Sequence, residues 1–406
     1  TFDQKARLRQ EEDKMDSQFA DRMSSVHKSF IREILKVTED PSIISFAGGL
    51  PNPRFFPVSE VAEAAQKVLG ECGYAALQYA TTEGHPPLRE YIAKRYAEKG
   101  LKVSPEEILI TTGSQQGLDL AGKVFLNKGD KVIVERPTYL AAIQSFGMFE
   151  PQFLSVPLHH DGMDADALDR ALSEHQVKLV YAVTNFQNPT GITYSSSKRQ
   201  EIADVLKDRN VALIDDNPYS DLRFMGEEVA PMKAFLGDQA IMLGSFSKLV
   251  SPGFRLGWIC AREEIMEKLI VAKQAADLHS SCFAQRVVHQ YLVDNDINSH
   301  IEKIRAAYRR QRDTMVEAIE ESFPAGVEHT RPEGGMFLWV TLPEGISSLE
   351  LFGRAIKENV AFVPGQAFFA NGGGENTMRL NFSNSDEERI VEGIARLGRA
   401  INSMMS

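Results

Sequence analysis

From Ser59 to about Gly257 the chain alternates between short runs rich in valine, isoleucine and leucine and longer amphipathic stretches. The apolar runs are residues 108–112 (ILITT), 131–134 (KVIV), 178–183 (KLVYAV), 211–214 (VALI) and 241–243 (IML). Amphipathic segments lie between them at 86–99, 115–127, 164–175 and 195–208. A strand that is apolar at every position has both faces covered, and strands separated by helices are joined by crossovers that leave them parallel. The pattern predicts an α/β fold around a parallel sheet buried between helices.

The rest of the chain reads differently. Residues 264–322 are mostly helical. A smaller α+β region follows, with FLWV (337–340) as a strand, a helix near 347–358 and a last helix from about 385 to 401. At the other end, residues 1–45 form a polar, partly helical arm. Its helical pattern, Phe30, Ile31, Ile34, Leu35 and Val37, ends before an Asp40-Pro41 turn, and SFAGGLPNPRFFPV (45–58) is a loop. The division expected is an arm (1–45), a large domain (46–290) and a small C-terminal domain (291–406).

Length and charge narrow the function. A chain of 406 residues is too long for one simple core. The formal net charge of -11 suits solubility and argues against nucleic acid, which needs a basic surface. No apolar run approaches the ~18 residues of a membrane span, and the charged N-terminal stretch lacks the apolar core of a signal peptide. Cys72, Cys260 and Cys282 are scattered, which fits neither a disulfide framework nor a metal pair, and points to a reducing cytoplasm.

Four segments carry chemistry. In GSFSKLVSPGFRLGW (244–258) a strand runs into small hydroxylated residues, a lysine, a Gly/Pro turn and an arginine. Ser245 and Ser247 flank Lys248, and Arg255 follows seven residues on; hydroxyls and a guanidinium are phosphate donors. Lys248 held against an aldehyde cofactor forms an imine; the plainer reading is an exposed Lys-Ser loop. TTGSQQGLDL (111–120) follows a strand and opens a helix, so its free N–H groups, with Ser114 and Gln115, make either an anion site or a plain serine cap. NFQNPTG (185–191) is either a simple turn or one that presents the Asn188 amide to a cofactor-ring oxygen. In LIDDNPYSDL (213–222), Asp215 and Asp216 end a buried strand at the usual ligand crevice. No His or Glu cluster accompanies them, so no metal is expected, and a carboxylate facing a pyridinium nitrogen is the sharper reading.

The ordered set GSQQG, PTY, NPTG, DDNPY, SFSK, GFRLGW and RLNF resembles the class I/II aminotransferases, the fold-type-I enzymes that use pyridoxal 5'-phosphate (PLP). The resemblance runs from about Ile31 to Ile401. Each motif is weak alone; together, in order, they are specific. IREILKVTEDPSIISFAGGLPNPRFFP is similar to the 2-aminoadipate/kynurenine-type, multi-substrate branch, which acts on aminoadipate, aromatic and branched-chain amino acids. The resemblance implies a mostly parallel seven-stranded sheet in the large domain, PLP as cofactor and a homodimer with shared active sites.

It also implies roles. Lys248 links to the cofactor and shuttles a proton. Asp216 holds the pyridine nitrogen protonated, Asn188 and Tyr219 bond the ring oxygen, and Tyr139 stacks on the ring. Ser114, Gln115, Ser245, Arg255 and, less directly, Ser247 hold the phosphate, with Tyr79 reaching the neighbouring subunit's. Arg379 forms a bidentate pair with the substrate α-carboxylate, near the Gly49 backbone. Arg32 either meets an acidic substrate side chain or is a solvated helix charge. One site serves amino donor and 2-oxo acceptor in turn, which implies ping-pong kinetics.

Fold does not fix function, so a PLP lyase, racemase, decarboxylase or synthase is a rival reading. A non-catalytic regulator is another; about 30 residues precede the resemblance, too few for a winged helix, and the charge is acidic. His159-His160 reads as solvated, Cys260 as strand core, and Trp258 and Trp339 as packing residues.

Overall fold

Consecutive side chains of a strand point to opposite faces, and here both faces are apolar. Val132 and Val134 pack into one core cluster while Ile133 between them packs into another; Leu179 and Tyr181 likewise part from Val180 and Ala182, and Ile214 from Leu213. That is why these runs lack polar alternation. Truncating one such residue, as in Ile214→Ala, removes a buried side chain worth about 2–5 kcal/mol.

The computed structural model describes residues 19–24, 34 and 40–405. In chain order the strands are β1 (Ile44–Ser45), β2 (Ile108–Thr111), β3 (Lys131–Arg136), β4 (Gln152–His159), β5 (Gly162–Met163), β6 (Val177–Ala182), β7 (Ala212–Asp216), β8 (Ala240–Ser245), β9 (Gly257–Cys260), β10 (Glu328–His329), β11 (Phe337–Thr341), β12 (Val360–Ala361), β13 (Val363–Pro364) and β14 (Thr377–Asn381). The large sheet has the order β2-β9-β8-β7-β6-β3-β4-β5. From β8 to β4 neighbours are parallel; β9 is antiparallel between β2 and β8, and β5 is antiparallel to β4. The sheet therefore holds eight strands, the seven expected and the two-residue β5, which folds back through the His159–Gly162 turn. Strand β4 gave no continuous apolar run because it is only partly covered and carries Pro157.

Helices Ser114–Phe125, Ala165–Glu174, Ser196–Leu206 and Glu263–Ala276 connect or flank these strands. Several helix starts are capped by a side chain: Asp164 accepts from Ala167 N, Ser195 from Lys198 N, and Ser281 from Ala284 N. The helix beginning at Ser114 is among those that are not, and it is preceded by Gly113.

A second sheet, β10-β11-β14-β13, is antiparallel throughout. Helix Glu387–Met405 turns Ile390, Ile394, Leu397 and Ile401 inward, spaced as one helical face requires, and they join a core cluster that also contains Ile214 and Leu380. Strand β1 pairs in parallel with β12 through Ile44↔Val360 and Ser45↔Ala361, and Asn381 N donates to Phe46 O at 2.8 Å. Of the arm's apolar pattern, Ile34 is helical and buried, packed with Ala47, Trp339, Val363 and Phe368. Phe30, Ile31, Leu35 and Val37, and with them Arg32, lie outside the described residues. Among the described residues no helix is long and apolar enough to cross a membrane.

Candidate active site

Side chains that end or follow β2, β3, β6, β7 and β8 gather at the C-terminal edge of the parallel strands, where a crevice is expected. Asp216 is the last residue of β7 and is 2% exposed. Tyr181 of β6 donates its hydroxyl to Asp216 Oδ2 at 2.9 Å, whereas Oδ1 is buried with no hydrogen-bond partner among the described residues. Burial raises the carboxyl to about 7, against the Tyr181 bond, with Asp215 adding to the rise. Asp215 is committed to structure: it accepts from Thr184 Oγ1 at 2.7 Å and from Met232 N at 3.0 Å.

Lys248 is half-buried and donates to the Gly49 carbonyl at 2.9 Å. Burial, with the nearby charges of Arg379 and Arg255, lowers its ammonium to about 8. Tyr139 is pushed up to about 12 by burial and feels Asp216, Arg379 and Arg255. Tyr219 is buried and raised by that burial, by Tyr139 and by Asp216, with the Asn188 side chain hydrogen-bonded to it. These mutual influences place Lys248, Asp216, Tyr139, Tyr219, Arg255 and Arg379 around one space.

Arg379 comes from the other sheet, on β14, and is 2% exposed. Its Nη1 donates to Asn188 Oδ1 at 2.8 Å and its Nη2 to Ala47 O at 2.7 Å, while Nε has no partner among the described residues. Phe337 and Phe368 lie against the guanidinium at 4.4 and 5.2 Å. Burial lowers it to about 10. A guanidinium has five N–H donors, so this one is fixed in orientation with donors left over for a planar acid.

The anion side is built around Gly113. Its φ is +74°, and a Cβ there would meet Arg255 Nη2 at 2.7 Å, so only glycine lets the guanidinium lie over the start of the helix. Arg255 itself has φ 51° and is exposed, with no carboxylate in salt-bridge reach among the described residues. Ser114 opens the helix, and Ser245 is buried and accepts from Ser247 N at 3.1 Å. Gln115 is exposed, and its side chain turns toward the Ala141 carbonyl at 3.5 Å; what it offers at this point is its backbone N–H.

One sequence-predicted residue stands apart. Tyr79 is 79% exposed, edge-on to His279 with ring centroids 5.8 Å apart, and close to exposed Tyr74 and Leu77 in the chain. Arg32 lies outside the described residues. Tyr181, the Ala47 carbonyl, Phe337 and Phe368 are site residues that sequence reasoning passed over. His159 is exposed beside Asp164, and among the described residues no group of His, Cys, Asp and Glu could hold a metal.

PLP fits this arrangement on two independent features. The orphaned Oδ1 of Asp216 calls for a cationic N–H donor, and the uncapped helix with Arg255 calls for an anion.

Fold and site thus define an α/β enzyme with a lysine, a carboxylate and an arginine converging on one crevice. The family model described as aminotransferase class I and II matches residues 47–397, and the chain belongs to that family; it is an aminotransferase. It is 46% identical over 386 residues to the 2-aminoadipate transaminase of Thermus thermophilus, covering 94% of this chain and 96% of that protein. It is 44% identical over 394 residues to aromatic-amino-acid aminotransferase 1 of Thermococcus litoralis, covering 95% and 94%. The crystal structure of Pyrococcus horikoshii kynurenine aminotransferase in complex with PMP superimposes with a TM-score of 0.93 at 43% identity, over 97% of this chain and 98% of that one.

Proposed function

We propose that this aminotransferase moves the amino group of 2-aminoadipate, aromatic or branched-chain L-amino acids to a 2-oxo acid such as 2-oxoglutarate, with PLP held by the residues described. Bound PLP supplies an aldehyde that condenses with amines and a ring that accepts an electron pair. The chain's own groups do the rest. Asp216 keeps the ring nitrogen protonated, Asn188 and Tyr219 donate to the ring oxygen, and Tyr139 covers a ring face. Ser114, Ser245, Ser247, Arg255 and the Gln115 N–H hold the phosphate. Lys248 Nζ is the amine that holds the aldehyde, and when free it is a base of lowered pKa able to carry a proton. Arg379 orients the α-carboxylate.

The observation that carries this reading is the convergence of Lys248, the orphaned Asp216 oxygen and the partly used Arg379 on one crevice. The half-reaction tests it. With amino acid alone, the holoenzyme should turn over once, releasing one equivalent of 2-oxo acid and leaving the amino group on the cofactor. Released ammonia or D-amino acid would instead place the chain among lyases or racemases.

The substrate range rests on the named relatives and on Ile34, which packs with Phe368 and Ala47, both neighbours of Arg379. Ile34 thus supports an arm near the carboxylate end of the site, and Arg32, outside the described residues, is the candidate for meeting an acidic side chain. A donor screen against 2-oxoglutarate should show Arg32→Ala losing activity on 2-aminoadipate and keeping it on leucine; equal losses would remove Arg32 from substrate contact. We further infer a homodimer with shared sites, a boundary between large and small domains near residue 290, and a cytoplasmic location in keeping with three free cysteines.

A further inference from the structure

Beneath the turn that carries Asn188 lies a carboxyl group the reaction does not use. Glu135, next to last in β3, is 1% exposed and, among the described residues, has no cationic partner. Its acceptors are met by neutral donors: Tyr194 Oη at 2.7 Å and Val183 N at 3.1 Å on Oε1, and Gln187 Nε2 at 2.9 Å on Oε2. Gln187 is in turn fully engaged. Its Nε2 also donates to the Pro137 carbonyl at 2.9 Å, and its Oε1 accepts from Thr190 N at 3.0 Å and Thr190 Oγ1 at 2.7 Å. The Gln187 amide therefore closes the 187–190 turn on one side and ties it to the strand leading into Tyr139 on the other. Asn188, inside that turn, accepts from Arg379 at 2.8 Å.

We propose that Glu135 is a positioning residue for the substrate-carboxylate site: by anchoring Gln187 it fixes the turn that presents Asn188 to Arg379. Burial pushes the Glu135 carboxyl up to about 8, against the bonds from Tyr194, Gln187 and Val183; what matters here is the geometry, in which both oxygens accept, from a hydroxyl, a backbone N–H and an amide. In Glu135→Gln the new Oε1 keeps Tyr194 and Val183, but the new Nε2 faces Gln187 Nε2, donor against donor. Turning the new amide over instead sets its Nε2 against the Val183 N–H, and turning the Gln187 amide takes its Oε1 away from Thr190. The damage passes to Asn188 and Arg379 rather than to Lys248 or Asp216.

This inference rests on the assignment of Arg379 to the substrate carboxylate, so the test carries both. The probe is glutarate, a dicarboxylate with no amino or oxo group to react, and its dissociation constant is read from the absorbance of the holoenzyme. Glu135→Gln should raise that constant, and the KM of both substrates, by about tenfold, with kcat within about threefold and the melting temperature of the apo-protein little changed. Arg379→Lys, measured alongside, should raise the glutarate constant more, because a point charge cannot reproduce the planar fork. If Arg379→Lys weakens glutarate and Glu135→Gln does not, the positioning role is wrong and the Arg379 assignment stands. If neither weakens it, both fall together. A loss of kcat at unchanged KM in Glu135→Gln also overturns the proposal. Should Glu135→Gln not accumulate as folded protein, Gln187→Met, similar in length and unable to donate, decides by the same criteria.

Discussion

Tyr181 and Asp216 share one hydrogen bond, and it uses only one of the two carboxylate oxygens: Oδ2 accepts the phenol at 2.9 Å and Oδ1 is left buried and bare. A buried polar atom without a partner is uncommon and costly. Tyr181 fixes the plane of the carboxyl so that the bare oxygen has one direction in which to accept. Asp216→Asn should lower kcat by about 10²–10³, the order seen when a single preorganised electrostatic group is removed. Tyr181→Phe leaves the carboxylate in place but frees it to rotate, and should cost about three- to tenfold in kcat. Single-turnover rates with a saturating amino donor would measure both; a Tyr181→Phe enzyme as impaired as Asp216→Asn would assign the phenol a larger part than orientation.

Lys248 should capture PLP at an unusually low pH. Its ammonium titrates at about 8, lowered by burial and by Arg379 and Arg255. Only the free amine attacks an aldehyde, so the rate of PLP incorporation into apo-protein should rise with pH and level off above about 8. An ordinary lysine, with a pKa near about 10.4, would keep gaining beyond pH 9. Borohydride trapping after short exposures across pH 6–10 follows the rate. A profile still climbing steeply at pH 10 would contradict the lowered value. Arg379→Met, which removes one of the two cationic neighbours, should move the midpoint upward.

Arg255→Ala should weaken PLP binding to the apo-protein by about 10- to 100-fold, from the loss of one to two charge-assisted bonds of about 1.5–3 kcal/mol in total. Gly113→Ala should do comparable harm by another route, since its Cβ would occupy the place of Arg255 Nη2 and the residue keeps a positive φ. Equilibrium fluorescence titration gives both constants. Unchanged affinity in Gly113→Ala would mean the guanidinium has somewhere else to go.

Tyr79 offers a genetic test of the proposed dimer. A Lys248→Ala enzyme has no working site, and a Tyr79→Ala enzyme lacks the hydroxyl proposed to reach the neighbour's phosphate. Mixing the two and exchanging subunits should create one intact site per mixed dimer, with Lys248 from one chain and Tyr79 from the other. Activity at low PLP should then exceed that of either parent. Should the mixture stay at the mean of its parents, Tyr79 would act within its own subunit or not at all.

What the amino-acid order made legible was whatever repeats locally. The apolar runs of β3, β6, β7 and β8 announced the sheet, and their C-terminal ends located Asp216, Ser245 and the turn with Asn188. Tyr181 was not legible, because inside KLVYAV it is one more buried apolar residue; only the pairing of Tyr181 with Ile214 across β6 and β7 brings its hydroxyl beside Asp216. Glu135 looked like the charged end of a strand, and its burial depends on Gln187 and Tyr194 arriving from 52 and 59 residues away. The Ala47 carbonyl carries no side-chain signal at all. Arg379 was found by resemblance alone, since nothing near MRLNF says that the second sheet will face the first. Strand β4 was missed because it is half-covered, and half-covered strands lose the uninterrupted apolar run.

The short strand β1 has a mechanical consequence. It is hydrogen-bonded to β12 beside the small sheet, and the residues just after it touch both ends of the chemistry: Ala47 O receives Arg379 Nη2, and two residues later Gly49 O receives Lys248 Nζ. A backbone stretch of three residues therefore links Arg379, the proposed carboxylate anchor, to Lys248, the proposed reactive amine. If Lys248 holds an aldehyde, as proposed, its Nζ would give up the Gly49 carbonyl, and the segment would keep its bond to Arg379. The proposed carboxylate anchor and the proposed reactive amine thereby rest on one short run of backbone, and a displacement of that run would move both contacts together, although it contributes no side chain to the site.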